Sequence, residues 1–156
     1  MAALMWISHS ERLLKVFEWC HALGVEIGAP DIYSDDVPSI GTALSCCQGL
    51  LTVDKAASTV RLIHFTLQEY LRGHSKLFST AHPTMAETCL SYLNSQEVRA
   101  LSTSPSPDLQ GTPFLEYSSV YWGVHARWGL SDCAKLLALK LFDGSNRIST
   151  KILLEA

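Results

Sequence analysis

The chain has 156 residues, of which 47% are hydrophobic and 17% are charged, and its formal net charge is -3 at pH 7. This length supplies one sizeable domain or two small ones, and the hydrophobic content supports a core. A net negative charge gives no long-range attraction to nucleic acid or to an anionic membrane, so the composition argues against both partners.

The first third of the sequence predicts two helices. Apolar residues at helical spacing predict a helix over residues 12–23, with Gly24 as a left-handed C-terminal cap. Pro38 and Ser39 then open a second apolar helix, which Gly49 ends. We expect a polar loop between the two helices.

Two runs rich in β-branched residues follow the second helix. Residues 50–53 and 59–63 predict antiparallel strands joined by a five-residue loop. Helices followed by a hairpin are typical of a winged helix.

The junction after the hairpin predicts a helix start. Thr66 and Glu69 have the spacing of a capping box, and Phe65 and Tyr70 stand at the positions of a hydrophobic staple. We therefore assign Thr66, Glu69, Phe65 and Tyr70 a structural capping role.

The second half of the sequence predicts further helices. Pro83 opens one, residues 102–112 have the composition of a linker, and Pro113 opens another. Ser131 has the position of an N-cap for a third helix, and residues 148–154 predict one more.

These patterns predict a mainly α fold, a winged helix (helices plus a two-stranded wing) followed by a small helical bundle. We place a winged-helix domain at residues 1–80 and a helical spacer at residues 81–156.

The sequence carries none of the short motifs that mark common enzymes. It has no G-x-x-x-x-G-K-[ST] loop, no G-x-S-x-G elbow and no H-E-x-x-H helix, which argues against an enzyme and against ATP binding by this chain. The five cysteines include no C-x-x-C pair, which favours reduced thiols, a cytoplasmic protein and no metal site. No stretch predicts a membrane span.

Other aromatic and histidine residues favour packing roles. Tyr117, Tyr121 and Trp128 fall on one helical stripe, which is more typical of packing than of a stacking platform. The histidines other than His64 have no carboxylate or cysteine at ligand spacing, and we interpret them as surface or packed side chains: His9, His21, His74, His82 and His125.

A nucleic-acid-binding winged helix is an alternative function, because the second helix of such folds can enter the major groove. The predicted helix at residues 39–48 contains no Lys or Arg, and Asp31, Asp35 and Asp36 precede it. Phosphate contacts require positive charge, so these residues disfavour DNA binding. A free-standing protein-interaction adaptor is a third hypothesis.

His64 lies at the junction between the second predicted strand and the helix that follows it. Strand alternation puts Val60, Leu62 and His64 on one face, which favours an imidazole packed in the core. Its position just before a helix N-terminus allows the alternative that it contacts an anion.

Several segments carry a resemblance to a known family: ALMWI at residues 3–7, E-x-x-HALG at 18–24, C-x-x-GLL at 46–51 and RLIHFTLQEYL at 61–71. Together they resemble the NACHT-associated winged helix of fungal ankyrin-repeat STAND (NLR-like) proteins, also described as the GPI inositol-deacylase winged-helix type. PFLEY at residues 113–117 and W-G-x-H-A at 122–126 are similar to the helical spacer that precedes the ankyrin repeats in that family.

The resemblance implies a non-catalytic regulatory module that packs on a NACHT nucleotide-binding domain and holds its resting ADP state. The NACHT domain and ankyrin repeats would be intramolecular partners, with the chain truncated before the repeats. ADP or ATP would be bound only in a full NACHT protein, where His64 would sense the ADP phosphate. The family's Arg-Pro-Leu is Arg12-Leu13-Leu14 here, so we expect the helix at residues 12–23 to extend through this turn.

Overall fold

A computed structural model describes residues 1–74, 76–101 and 111–143 of the chain. Two strands in this part form an antiparallel hairpin, β1 (Leu51–Asp54) and β2 (Thr59–Leu62). The α-helices in the same ranges are α1 (Ala2–His9), α2 (Val16–Gly24), α3 (Ile40–Ser45), α4 (Phe65–Gly73), α5 (Ala81–Leu93), α6 (Gln96–Leu101), α7 (Leu115–Ala126) and α8 (Asp132–Phe142). The predicted fold class, a winged helix followed by helices, is confirmed.

The wing lies against the first helices through its buried face. Val53 pairs with Val60 and Leu51 pairs with Leu62, and this register turns Val60 and Leu62 into the core. A short extended segment that contains Leu14 pairs with the outer edge of β2, because the Val60 N–H donates to the Leu14 carbonyl at 3.0 Å. The wing is thereby tied to the segment before α2.

The helix predicted over residues 12–23 begins later than expected. Residues 12–15 precede α2, and the expected extension of the helix through Arg12-Leu13-Leu14 is wrong. The Lys15 N–H donates to Glu18 Oε2 at 2.8 Å, so Glu18 fixes the helix start by the acidic half of a capping box.

Gly24 is required for a different reason from the one predicted. It is the last residue of α2, and its φ is not among the positive values, which belong to Gly28, Gly49 and Gly129 among the described glycines. A Cβ at position 24 would lie 2.9 Å from Val37 Cα. Close approach of the loop before α3, and not a left-handed cap, therefore requires glycine.

The second predicted helix is shorter than the apolar sequence pattern that ends at Gly49. It opens at Ser39 as expected, and Ser39 is its N-cap, with the Ser39 hydroxyl accepting from the Thr42 N–H at 3.1 Å. Helix α3 ends at Ser45, and the chain then turns through Gln48 and Gly49, whose φ values are 50° and 77°.

Helix α5 is the centre of the second half of the chain. It packs against α1, α7 and α8, and it buries Met85, Cys89, Leu90 and Leu93 completely. Helix α8 is capped by Ser131 as predicted, with the Ala134 N–H donating to its hydroxyl at 3.0 Å. Helix α6 was not predicted.

Two predicted segments fall where the structure gives no description. The predicted helix at residues 148–154 lies outside the described residues, and so do residues 102–110 of the predicted linker. The division at residues 80 and 81 stays a prediction. In the described ranges, no helix combines the length and the hydropathy needed to cross a membrane.

Aromatic side chains join the first helix to the second half. Trp6 of α1 contacts Phe114 and Tyr117, with ring centroids 5.4 and 5.9 Å apart. The predicted packing role is confirmed for Tyr117, which is fully buried, and for Tyr121, which packs half-buried against the core. Trp128 is 71% exposed and packs only through one ring face, which stacks on His82 with the centroids 5.0 Å apart. Trp128 lies beyond the end of α7, so the helical period does not apply to it.

Candidate functional site

His64 lies on the surface, at the junction between the wing and α4. Strand β2 ends at Leu62, and His64 follows it with an extended backbone, φ -146° and ψ 140°. Its side chain is exposed. The expectation of a core-packed imidazole is therefore wrong, because the alternation of strand faces stops two residues earlier.

His64 itself caps α4. Its Nδ1 accepts from the Thr66 N–H at 3.3 Å and lies 2.8 Å from Thr66 Oγ1. The predicted capping box is wrong: Thr66 is in the first turn of α4, and Glu69 lies exposed in the second. An imidazole nitrogen with a free lone pair accepts a hydrogen bond as a capping hydroxyl does. The N-cap is therefore His64, two residues before the predicted Thr66.

The predicted hydrophobic staple is also absent from this junction. Phe65 is 68% exposed and stacks on the His64 ring, with the centroids 5.1 Å apart. Tyr70 is exposed and its ring lies 3.9 Å from that of His74. With the helix start moved to His64, Phe65 and Tyr70 no longer occupy staple positions.

The capping contact favours one tautomer of His64. When Nδ1 accepts from the Thr66 backbone N–H at 3.3 Å, the neutral imidazole carries its hydrogen on Nε2. Nε2 has no hydrogen-bond partner among the described residues. His64 therefore offers one donor to a group outside this part of the chain.

Both apolar and polar side chains surround His64. A depression of about 430 Å³ is lined by Leu13, Ile63, His64 and Phe65, and also by the polar side chains of Thr52, Arg61 and Gln68. Leu13 and Ile63 are 57% and 55% exposed. We refer to Leu13, Ile63, His64 and Phe65 as the His64 surface.

Helix α3 has no basic side chain that could contact nucleic acid. Its exposed side chains include Thr42 and Ser45, and the helix contains no Lys or Arg. Asp35 and Asp36 are exposed just before it. This charge pattern provides no phosphate contact from α3.

The structure brings together three histidines that the sequence did not connect. His82 Nδ1 and His125 Nδ1 are 2.8 Å apart, and the His9 and His82 ring centroids are 5.6 Å apart. We call His9, His82 and His125 the histidine cluster. Glu11 adds a carboxylate, and ligand atoms of Glu11, His82 and His125 all lie within 4.8 Å of one another.

The histidine cluster consists of neutral imidazoles at neutral pH. Burial lowers the pKa of His9, of His82 and of His125, and for His125 the pKa falls to about 4. The neighbouring imidazoles add to the decrease at His9 and His125, while the Glu11 carboxylate opposes it at His82. No sequence spacing signals this cluster, because its members come from α1, α5 and α7.

A family model described as GPI inositol-deacylase, winged helix domain, matches residues 1–81 of the chain. No curated protein and no solved structure matches it. The matched residues span α1 to α4 and the wing, and they include the His64 surface. The matched family is a non-catalytic domain, and the chain belongs to this GPI inositol-deacylase winged helix domain family.

Proposed function

We propose that the chain is a non-catalytic regulatory module of a NACHT-type signalling NTPase in the cytoplasm. Its winged helix packs on the nucleotide-binding core and stabilises the resting, ADP-bound state. The observation that carries the proposal is the His64 surface, where a free imidazole donor at a helix N-terminus lies among exposed apolar side chains.

The chemistry of His64 suits a phosphate of bound ADP. The N-terminus of α4 carries a partial positive charge, which favours an anion nearby. The Nε2 hydrogen of His64 adds a directed donor, because Nδ1 is already engaged by Thr66. A phosphate oxygen supplied by the core would accept this hydrogen bond.

The apolar side chains around His64 suit a protein interface. Leu13, Ile63 and Phe65 are each more than half exposed, and such clustered apolar surface is typical of an interaction site. A partner domain that covers them removes apolar area from water and excludes water from the His64 contact. The NACHT domain is the partner we propose.

The end of the described chain offers a second apolar surface. Leu136, Leu139 and Phe142 of α8 are largely exposed. We propose that α7 and α8 form the spacer that precedes ankyrin repeats, and that the first repeat covers this stripe.

Charge favours this role over nucleic-acid binding. The net charge is -3, and α3 has no basic residue with which to contact phosphates in a groove. Salt-sensitive gel shifts of DNA by the purified chain would favour the nucleic-acid alternative.

The test of the interface uses a family NACHT protein whose own winged helix is replaced by residues 1–143. Ile63→Ser combined with Phe65→Ser is expected to raise basal oligomerisation, because the resting interface is weakened. Tyr33→Ser is the matched control, since Tyr33 is also exposed but lies outside the His64 surface. Equal oligomerisation of the double variant and the control would contradict the proposal.

A further inference from the structure

We propose that Glu11, His82 and His125 form a binding site for a divalent transition-metal ion, with zinc as the best fit. This departs from the sequence-based expectation of no metal. The three residues come from the segment after α1, the first turn of α5 and the end of α7. The site therefore links the family-matched region to the helices that follow it.

The geometry of the three side chains carries the proposal. Their ligand atoms lie within 4.8 Å of one another, and His82 Nδ1 and His125 Nδ1 are 2.8 Å apart. Two imidazole nitrogens on one tetrahedral zinc ion lie roughly 3.3 Å apart, given Zn–N bonds of about 2.0 Å. The His82 ring stacks on the rings of His125 and Trp128, so it must shift between them to admit the ion.

Two imidazoles and a carboxylate are a ligand set that zinc accepts. Metal binding requires neutral imidazoles, and the burial of the histidine cluster already favours that form. The Glu11 carboxylate offsets the charge of the cation and of Arg72, whose guanidinium donates to the Ser8 and Ser10 carbonyls nearby.

Tyr117 is placed to orient the buried ligand. His125 Nε2 lies 2.9 Å from the Tyr117 hydroxyl, and the Glu11 N–H donates to the same hydroxyl at 3.1 Å. For Nδ1 to bind metal, His125 must carry its hydrogen on Nε2 and donate it to the Tyr117 oxygen. Such a partner fixes both the tautomer and the ring orientation of a metal-bound histidine.

The site has an open side. A groove lined by Glu11, His82 and Arg72, among others, opens two of the three proposed ligands to solvent, and the third, His125, is buried behind it. It gives an ion a path of entry and leaves room for a water molecule as the fourth ligand. His9 also lines this groove, as a neighbouring imidazole.

The alternative explanation is a plain hydrogen bond between His82 and His125. In that arrangement Tyr117 donates to His125 Nε2, and His125 Nδ1–H donates to His82 Nδ1. This form would bind no metal, so metal titration separates it from the proposal.

The experiment titrates the metal-free, reduced full chain with Zn²⁺ by calorimetry and with Co²⁺ by visible absorption. We expect one ion per chain, cobalt bands typical of nitrogen and oxygen ligands, and a higher melting temperature with Zn²⁺. Glu11→Gln and His82→Asn are each expected to weaken binding by roughly tenfold or more, and Tyr117→Phe by roughly tenfold. His74→Asn is the control, because His74 is exposed and outside the cluster.

Glu11 and His74 are exposed, so their variants are expected to fold, and circular dichroism checks each one. Three results would overturn the proposal. They are the absence of Zn²⁺ binding, equal affinity in Glu11→Gln and the wild type, and thiolate-to-cobalt charge-transfer bands that place the ion on cysteine.

Discussion

The guanidinium of Arg12 forms two hydrogen bonds with the buried carboxylate of Glu18, at 2.7 and 2.8 Å. Glu18 also accepts from the Lys15 N–H, so one carboxylate both starts α2 and fixes the segment that pairs with the wing. Removing Arg12 would leave that carboxylate buried without a counter-charge.

Arg12→Met is therefore expected to destabilise the chain by about 2 kcal/mol in urea unfolding. Adding Glu18→Gln is expected to recover part of the loss, because glutamine still accepts from Lys15 and carries no charge. Lys135→Met is the control, since Lys135 forms an exposed pair with Asp132. Equal midpoints for Arg12→Met and Lys135→Met would contradict this prediction.

Gly24→Ala tests the close approach of the loop before α3. The new Cβ would lie 2.9 Å from Val37 Cα, so we expect a loss of about 1 to 3 kcal/mol in the free energy of unfolding. Gly73→Ala is the matched control at the end of α4, where a Cβ meets nothing within 4 Å. We expect that control to be neutral or slightly stabilising. A neutral Gly24→Ala would show that the loop gives way.

The isolated chain is expected to self-associate weakly at high concentration. The His64 surface and the exposed apolar residues of α8 have no cover among the described residues. Analytical ultracentrifugation should show a concentration-dependent rise in mean mass, which Ile63→Ser with Phe65→Ser reduces. A single sharp monomer for the wild type at high concentration would count against exposed interface surface.

Local sequence patterns predicted which helices and strands are present better than they predicted where each one begins and ends. The hairpin, the helix start at Ser39 and the cap at Ser131 rest on signals a few residues long, and the structure confirms them. The start of the helix predicted over residues 12–23 was placed too early, because the start of α2 depends on a buried ion pair, which apolar spacing does not reveal.

The sites were less predictable than the fold. The sequence singled out His64, but its exposure depends on β2 ending at Leu62. The capping prediction favoured Thr66 because an imidazole cap has no common sequence signature. The histidine cluster depends on packing between α1, α5 and α7, so only the folded chain brings its members together.

The role of His64 as a phosphate contact can be separated from its role as a helix cap. His64→Asn keeps an acceptor at the N-cap of α4 but removes the imidazole Nε2 donor. His64→Ala removes both, and is expected to cost about 1 kcal/mol in stability as well. His74→Asn again serves as the control, because His74 lies at the far end of the same helix.

The most direct measurement is ADP release from a family NACHT protein that carries residues 1–143 in place of its own winged helix. If His64 Nε2 donates to the ADP phosphate in the resting state, His64→Asn loses one charge-assisted hydrogen bond. ADP release should then accelerate by roughly tenfold or more, with His74→Asn unchanged. Unchanged ADP release in a folded His64→Asn protein would contradict the proposed contact.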